Sequence, residues 1–289
     1  MGNYVITSDN TADMPYSYYE EHGIQYLYMT YQLEGKNYNR DNEMDVKEFY
    51  DTMRGGSMPV TSQVNSEEAK DVFRPILESG KDILHLNFSS GLSGGFNSVR
   101  LAAEDLREEF PDRTIIIIDT LCASLGEGMI LDWAVTLKEQ GMGIEENAKW
   151  VEEHKKNVCH VFTVDDLFHL HRGGRVSKTA AVIGTMIKIK PLLHVDNEGH
   201  LIPVSKVRGR KKSLAGLVSM MEERMGSWKD KDFKVFISHG DCQADAEYVA
   251  KLVQEKTGRQ VSVINTIGAT IGTHSGPGTV ALFFMGDER

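Results

Sequence analysis

The residues of this chain best suited to chemistry are hydroxyls, one imidazole and two guanidiniums set among glycines. They fall in four stretches: Thr61 and Ser62 in PVTSQ (59–63), Ser89, Ser90 and Ser93 in SSGLSGG (89–95), Arg172 and Arg175 in RGGR (172–175), and His274 in IGTHSGPG (271–278). All of these side chains donate hydrogen bonds, which is what an acceptor-only group such as a carboxylate requires. SSGLSGG admits three readings. It is a plain connection in which Ser93 caps a helix; a serine nucleophile, since residues 91–95 (GLSGG) fit G-x-S-x-G; or an anion seat, its glycines letting the backbone come close and the next helix offering free N–H groups. For Thr61 and Ser62 the ordinary reading is turn chemistry before a helix, and for His274 an incidental place in a loop.

Hydrophobic spacing supplies the elements that must position these groups. Residues 83–88 (ILHLNF) read as a buried strand and residues 96–106 repeat apolar side chains at helical spacing, so SSGLSGG is a strand-to-helix turn at a sheet's carboxyl edge, where α/β folds bind ligands. Residues 4–6 read as a strand ending in the polar turn TSDNT (7–11), residues 24–33 as one aromatic-rich strand, residues 35–44 as a turn-rich connection and residues 45–53 as a helix. Asn65 and Ser66 followed by Glu67 and Glu68 mark another helix start. Residues 114–119 (TIIIID) have the continuous β-branched pattern of a strand buried on both faces, and helices follow at 124–140 and 144–157. From residue 160 a second series begins: a strand at 160–164, short helices at 165–170 and 176–187 (the second capped by Ser177), strands at 187–195 and 201–207 joined by a turn at Glu198 and Gly199, and a helix at 214–225. A strand at 234–238, a helix at 244–257, a strand at 261–265, a glycine-rich loop at 267–278 and a last strand at 280–285 complete it. These spacings predict an α/β protein of two domains: residues 1–157 with a doubly wound, mostly parallel sheet, and residues 158–289 with a mixed or antiparallel sheet.

Composition narrows the functions. The 289 residues carry a formal net charge of −10, which argues against general nucleic-acid binding. The first 25 residues show no basic start followed by an apolar stretch, and no run is long enough to cross a bilayer, so a cytoplasmic location without an integral membrane segment is expected. Cys122, Cys159 and Cys242 are widely spaced without CxxC, suggesting neither a disulfide framework nor a zinc site. The 13 methionines suit core filling and equally a pocket that follows a flexible apolar ligand. Residues 207–212 (VRGRKK) form the only dense basic run.

Taken in order, TSD (7–9), PVTSQ (59–63), SSGLSG (89–94), GGRVS (173–177) and IGTHSGPG (271–278) resemble the DegV family, in register across essentially the whole chain. The resemblance implies a DegV-like fold and the role of fatty-acid-binding subunit of a bacterial fatty acid kinase. Such a subunit has no covalent cofactor and no catalytic residue of its own. It buries the tail of a long-chain fatty acid and presents the carboxylate to a separate ATP-using kinase subunit, whose acyl phosphate feeds phospholipid synthesis. The resemblance places the head-group contacts on Thr61, Ser93 and His274, with Ser62 and the backbone at Gly94 close by. It sets Arg172 and Arg175 at the inter-domain site and makes Arg208, in the basic run, the contact to an acidic face of the kinase. Hydroxyls, imidazole and helix N–H groups would hold the carboxylate without an adjacent fixed charge and leave one oxygen free to react. Burying about 14 methylenes at ~0.8 kcal/mol each offers on the order of 11 kcal/mol before ordering costs, so the protein is expected to purify with lipid. Residues 180–187, Leu192, Leu193 and residues 283–285 are candidate lining.

The first turn reads TSDN where the family commonly has TSDS, SGGF stands for SGTY, and Ser275 follows His274 where Thr is common; these differences keep every proposed donor. Two other classes compete. A serine hydrolase of lipid esters would use Ser93 and His274 with Asp241 orienting the imidazole, in the chain order Ser, Asp, His. A lipid-sensing signalling module would dock on a partner other than a kinase.

Overall fold

The computed structural model describes residues 3–165, 167–177, 189–287 and 289. Strands β1 (Tyr4–Asp9), β2 (Gln25–Leu27), β6 (Asp82–Asn87) and β7 (Ile115–Asp119) form a parallel sheet in the order β2-β1-β6-β7. Alternation along β6 sends Ile83 to one face, where it packs with Phe73, Ile76, Val99 and Leu106 of the helices Ser66–Glu78 and Gly95–Glu109. Leu84 and Leu86 go to the other, against Met129, Ile130 and Leu131 of the helix Leu125–Glu139. Helices on both faces make this half doubly wound. The run at 114–119, however, lies at the sheet's edge, and Ile116 and Ile117 are half-buried: a continuous β-branched run reports apolar surroundings, not the number of strand neighbours.

Residues 24–33 do not form one strand. Gln25–Leu27 pairs with β1, whereas β3 (Tyr31–Leu33) belongs to a small antiparallel sheet with β4 (Lys36–Tyr38) and β5 (Val60–Thr61). Aromatic packing holds that sheet. Tyr31 stacks on Tyr38 at 4.9 Å between ring centroids and meets Phe49 of the helix Val46–Arg54 edge-on at 5.5 Å.

The remaining strands, β8 (Val158–Thr163), β9 (Ile189–Val195), β10 (Leu201–Arg208), β11 (Val235–His239), β12 (Val261–Thr266) and β13 (Val280–Met285), form a second large sheet in the order β10-β9-β8-β13-β11-β12. Among the described residues only the β11–β12 pair is parallel, so the sheet is mixed and mostly antiparallel. The helix Leu125–Glu139 packs against strands of both large sheets, and one hydrophobic cluster runs through them from Leu84 to Leu282. Among the described residues no helix is long and apolar enough to cross a membrane.

Two local expectations change. The glycine-rich run at 267–278 contains a helix, Ala269–Ser275, and the short helix before GGR starts at Phe168 and ends at Arg172. The helix expected at 176–187 falls mostly on residues 178–188, outside the described residues.

Candidate functional site

Between the sheets lies a cavity of about 300 Å³. Its wall is largely apolar, with Phe88, Leu92, Phe162, Ile271, Ala281 and Phe283 among the lining residues. Thr61, Ser62, Ser93, Arg175 and His274 line the same cavity, although they are separated by up to 213 positions in the chain.

Four stretches deliver these side chains. Thr61 sits on β5 opposite Tyr31, and Ser62 follows it with its N–H bonded to Thr30 O at 2.9 Å. Ser93 stands in the turn after β6, where its Oγ accepts the Gly95 N–H at 3.1 Å. The ordinary cap reading of Ser93 is thus partly met, two residues from the bond it receives. His274 is on the helix Ala269–Ser275, and its Nε2 lies 2.8 Å from Thr61 Oγ1 while its buried Nδ1 has no hydrogen-bond partner. Burial, reinforced by the Arg175 and Arg172 guanidiniums, pushes the His274 imidazole down to about 3, so the ring is neutral near pH 7.

Because Nδ1 is buried without a partner, and an orphaned N–H is disfavoured more than an orphaned lone pair, the tautomer with its proton on Nε2 is the favoured one. With the proton on Nε2, His274 donates to Thr61 Oγ1, and the Thr61 O–H keeps its own proton for a further acceptor. Ser93 is in the same state: its oxygen receives the Gly95 N–H and its O–H remains to donate. Arg175 Nε donates to Leu92 O at 3.1 Å, and its Nη1 donates to Gly173 O. A fixed cation therefore borders the site: Arg175 lies where the resemblance put it, beside a head-group donor set expected to have no adjacent charge. Loop positions such as 175 give no periodic signal by which their direction can be read.

Arg172 and Gly94 are not lining residues. Arg172 Nη2 donates to Pro59 O at 2.9 Å and to Thr273 O at 3.3 Å, so it braces the two segments that carry Thr61 and His274. Gly94 is exposed, and Gln63 lies against it: a β-carbon there would come within 2.6 Å of Gln63 Oε1. Gly173 explains the GGR stretch, since a side chain at that position would come 2.3 Å from His274 Nδ1. Arg208 is exposed at the end of the edge strand β10.

Several expectations are corrected. Ser89 is not part of an anion seat, because its Oγ is buried and donates to Gly199 O at 3.0 Å, while the Ser90 N–H is taken by Asp119 Oδ1 at 3.1 Å. Asp241 does not orient His274; it pairs with Arg54, and the imidazole bonds Thr61 instead, so no Ser–His–Asp triad is assembled. Of the apolar residues expected as lining, Phe283 qualifies, whereas Leu192, Leu193, Phe284 and Met285 are ordinary core; residues 180–187 lie outside the described residues. Met29, Gln63 and Thr270 also line the cavity; Gln63 stands in PVTSQ but carried no expected role there, and Met29 and Thr270 lie outside the motifs. Burial holds the thiols of Cys122, Cys159 and Cys242 up, at about 11, 12 and 12, which suits unreactive groups, the first two in the core and Cys242 half-buried. Among the described residues the one set with metal-ligand spacing is Asp196, Glu198 and His200 in the β9–β10 turn, where Asp196 Oδ1 already accepts the N–H groups of Glu198 and His200 at 3.0 and 2.8 Å.

The fold and this donor-lined cavity define a class, and comparison with known proteins agrees. The sequence model of the DegV family of uncharacterised proteins matches residues 3–287, and the chain belongs to that family. It is 43% identical to the DegV domain-containing protein CPE0026 of Clostridium perfringens, covering 100% of this chain and 99% of that one. Among solved structures, a DegV lipid-binding protein of Thermotoga maritima superposes with a TM-score of 0.85 at 31% identity, covering 100% of both chains. Protein TM841 of the same organism, described as having a fatty acid binding function, gives 0.84 at 30% identity, covering 99% of this chain and 100% of that one.

Proposed function

We propose that this chain binds a long-chain fatty acid, with the tail in the apolar cavity and the carboxylate at Thr61, Ser93 and Arg175 beneath His274. One observation carries the reading. The Ser93 oxygen accepts the Gly95 N–H at 3.1 Å, and Thr61 Oγ1 lies 2.8 Å from His274 Nε2, which donates to it in the Nε2-protonated tautomer, so each O–H is left to serve an acceptor-only group. Arg175 adds charge, and the apolar wall supplies the burial that a hydrocarbon tail requires. Two relatives known for lipid or fatty acid binding support the choice of ligand.

The same reading extends to a role in which the bound carboxylate is presented to a separate ATP-using kinase, this chain being the substrate-holding subunit. Arg208, Lys211 and Lys212 are exposed beside one another in sequence and suit an acidic partner face. Arg210 does not join them, because its Nε bonds Asp245 at 2.8 Å and its Nη2 bonds Gly278 O at 2.6 Å. Native purification followed by solvent extraction and lipid mass spectrometry tests the ligand. Stoichiometric free fatty acid is expected; a protein that is lipid-free from a lipid-rich cell, or that carries an esterified lipid, would refute it.

A further inference from the structure

Resting on the head-group reading above, we infer that Asn10 and Asp13, in the turn after β1, are positioning residues for His274 and set the affinity for the carboxylate without touching the ligand. The helix that carries His274, Ala269–Ser275, has seven residues and includes Thr270, Ile271, Gly272, Thr273 and Ser275, a composition with poor helix propensity at a length that does not persist alone. Its placement therefore comes from what grips it.

The grip is Asn10, the first residue past β1, and the aspartate three residues on. Asp13 Oδ1 accepts the N–H of Gly268, just before the helix, at 2.9 Å, and Asp13 O accepts Asn265 Nδ2 at 2.7 Å. Asp13 Oδ2 accepts the Ser124 hydroxyl at 2.6 Å, tying the same carboxyl to the helix between the two large sheets. Asn10 works one turn further along: its Nδ2 donates to Thr270 Oγ1 at 3.2 Å and its Oδ1 accepts the Met29 N–H at 2.9 Å, while Thr270 Oγ1 donates to Met29 O at 3.0 Å. Backbone geometry is spent on the arrangement. Asp13 has φ 50°, a left-handed conformation that aspartate tolerates better than most residues. Position 268 is a glycine where a β-carbon would lie 2.9 Å from Asp13 Oδ1. The turn follows β1, a strand with neighbours on both sides, so it is a firm base. Neither Asn10 nor Asp13 is a lining residue of the cavity. The line of support runs from β1 through Asn10 and Asp13 to the Ala269–Ser275 helix, and from His274 to Thr61.

The test uses the delipidated full chain and two probes of equal tail, oleate and methyl oleate, the second lacking the charged head. Asn10→Ala and Asp13→Ala are expected to weaken oleate about tenfold and methyl oleate by less than about twofold, the size expected from one misplaced hydrogen bond to a charged group. Asp13→Asn keeps an Oδ1 acceptor for Gly268 and is expected to recover most of the oleate affinity. Equal losses for both probes would mean a merely structural role, and no loss for either would mean no role; both results overturn the inference. Should Asp13→Ala fail to fold, Asn10→Ala carries the comparison. His274→Ala separates the two levels. If it changes the oleate to methyl oleate ratio and Asn10→Ala does not, the positioning role alone is wrong; if it leaves the ratio unchanged, the head-group reading is wrong and the inference falls with it.

Discussion

Replacing Thr61 by valine removes one hydroxyl and little else. Valine keeps the branched shape and strand preference needed opposite Tyr31 on β3, and the residue is only half-buried. What is lost is the O–H that the neutral His274 leaves free by donating to Thr61 Oγ1 at 2.8 Å. A hydrogen bond to a charged group is worth about 1.5–3 kcal/mol, or about 10- to 150-fold in affinity. In the variant the imidazole N–H can turn to the carboxylate, which keeps the loss near the lower end, about tenfold. Titration calorimetry of delipidated protein with oleate at pH 7 measures it, and methyl oleate should bind wild type and variant alike. An oleate affinity within about twofold of wild type, or an equal loss for the ester, would refute the assignment of Thr61 as a head-group donor.

Gly173→Ala is expected to weaken oleate more than methyl oleate, because the new methyl group would stand 2.3 Å from His274 Nδ1 and push the imidazole off Thr61; equal binding of both probes would contradict this. Stability should respond to pH through Asp13, whose carboxyl burial pushes up to about 7 from an ordinary value near 4. The folded state holds that proton more tightly, so this group's contribution is full below about pH 4 and lost as pH rises through 7. Relative to Asp13→Asn, wild type should therefore lose stability on the order of 4 kcal/mol across that window, read by denaturant unfolding at successive pH values; a constant difference would contradict it. Arg208→Ala should leave oleate affinity unchanged and lower acyl-phosphate formation in a reconstituted kinase assay, and undiminished formation would remove Arg208 from the docking face.

The parts of the site legible in the sequence were those whose signals are local. SSGLSGG was recognisable because an alternating run precedes it and a helical repeat follows, which puts Ser93 at a strand-to-helix turn whatever its role. The segment around His274 was not legible as a helix. Glycines at 268, 272, 276 and 278 lower its propensity, and Asp13, Asn10 and Tyr50, whose hydroxyl donates to Ile267 O at 2.9 Å, override that preference from more than 200 positions away. Residues 24–33 alternated well enough for one strand, yet alternation cannot say where a chain leaves one sheet for another, and here it does so between Leu27 and Tyr31. Asp241 had the chain order required of a triad member. Chain order carries no distance, and the structure gives that carboxylate to Arg54.

The most direct measurement is a crystal structure of the protein purified with its native lipid in place. Continuous density for an acyl chain between Phe88, Phe162, Ala281 and Phe283, with a carboxylate within hydrogen-bond distance of Thr61 Oγ1 and Ser93 Oγ, is the predicted result. A head group found at the opposite end of the chain, away from Thr61, Ser93 and His274, would contradict the account.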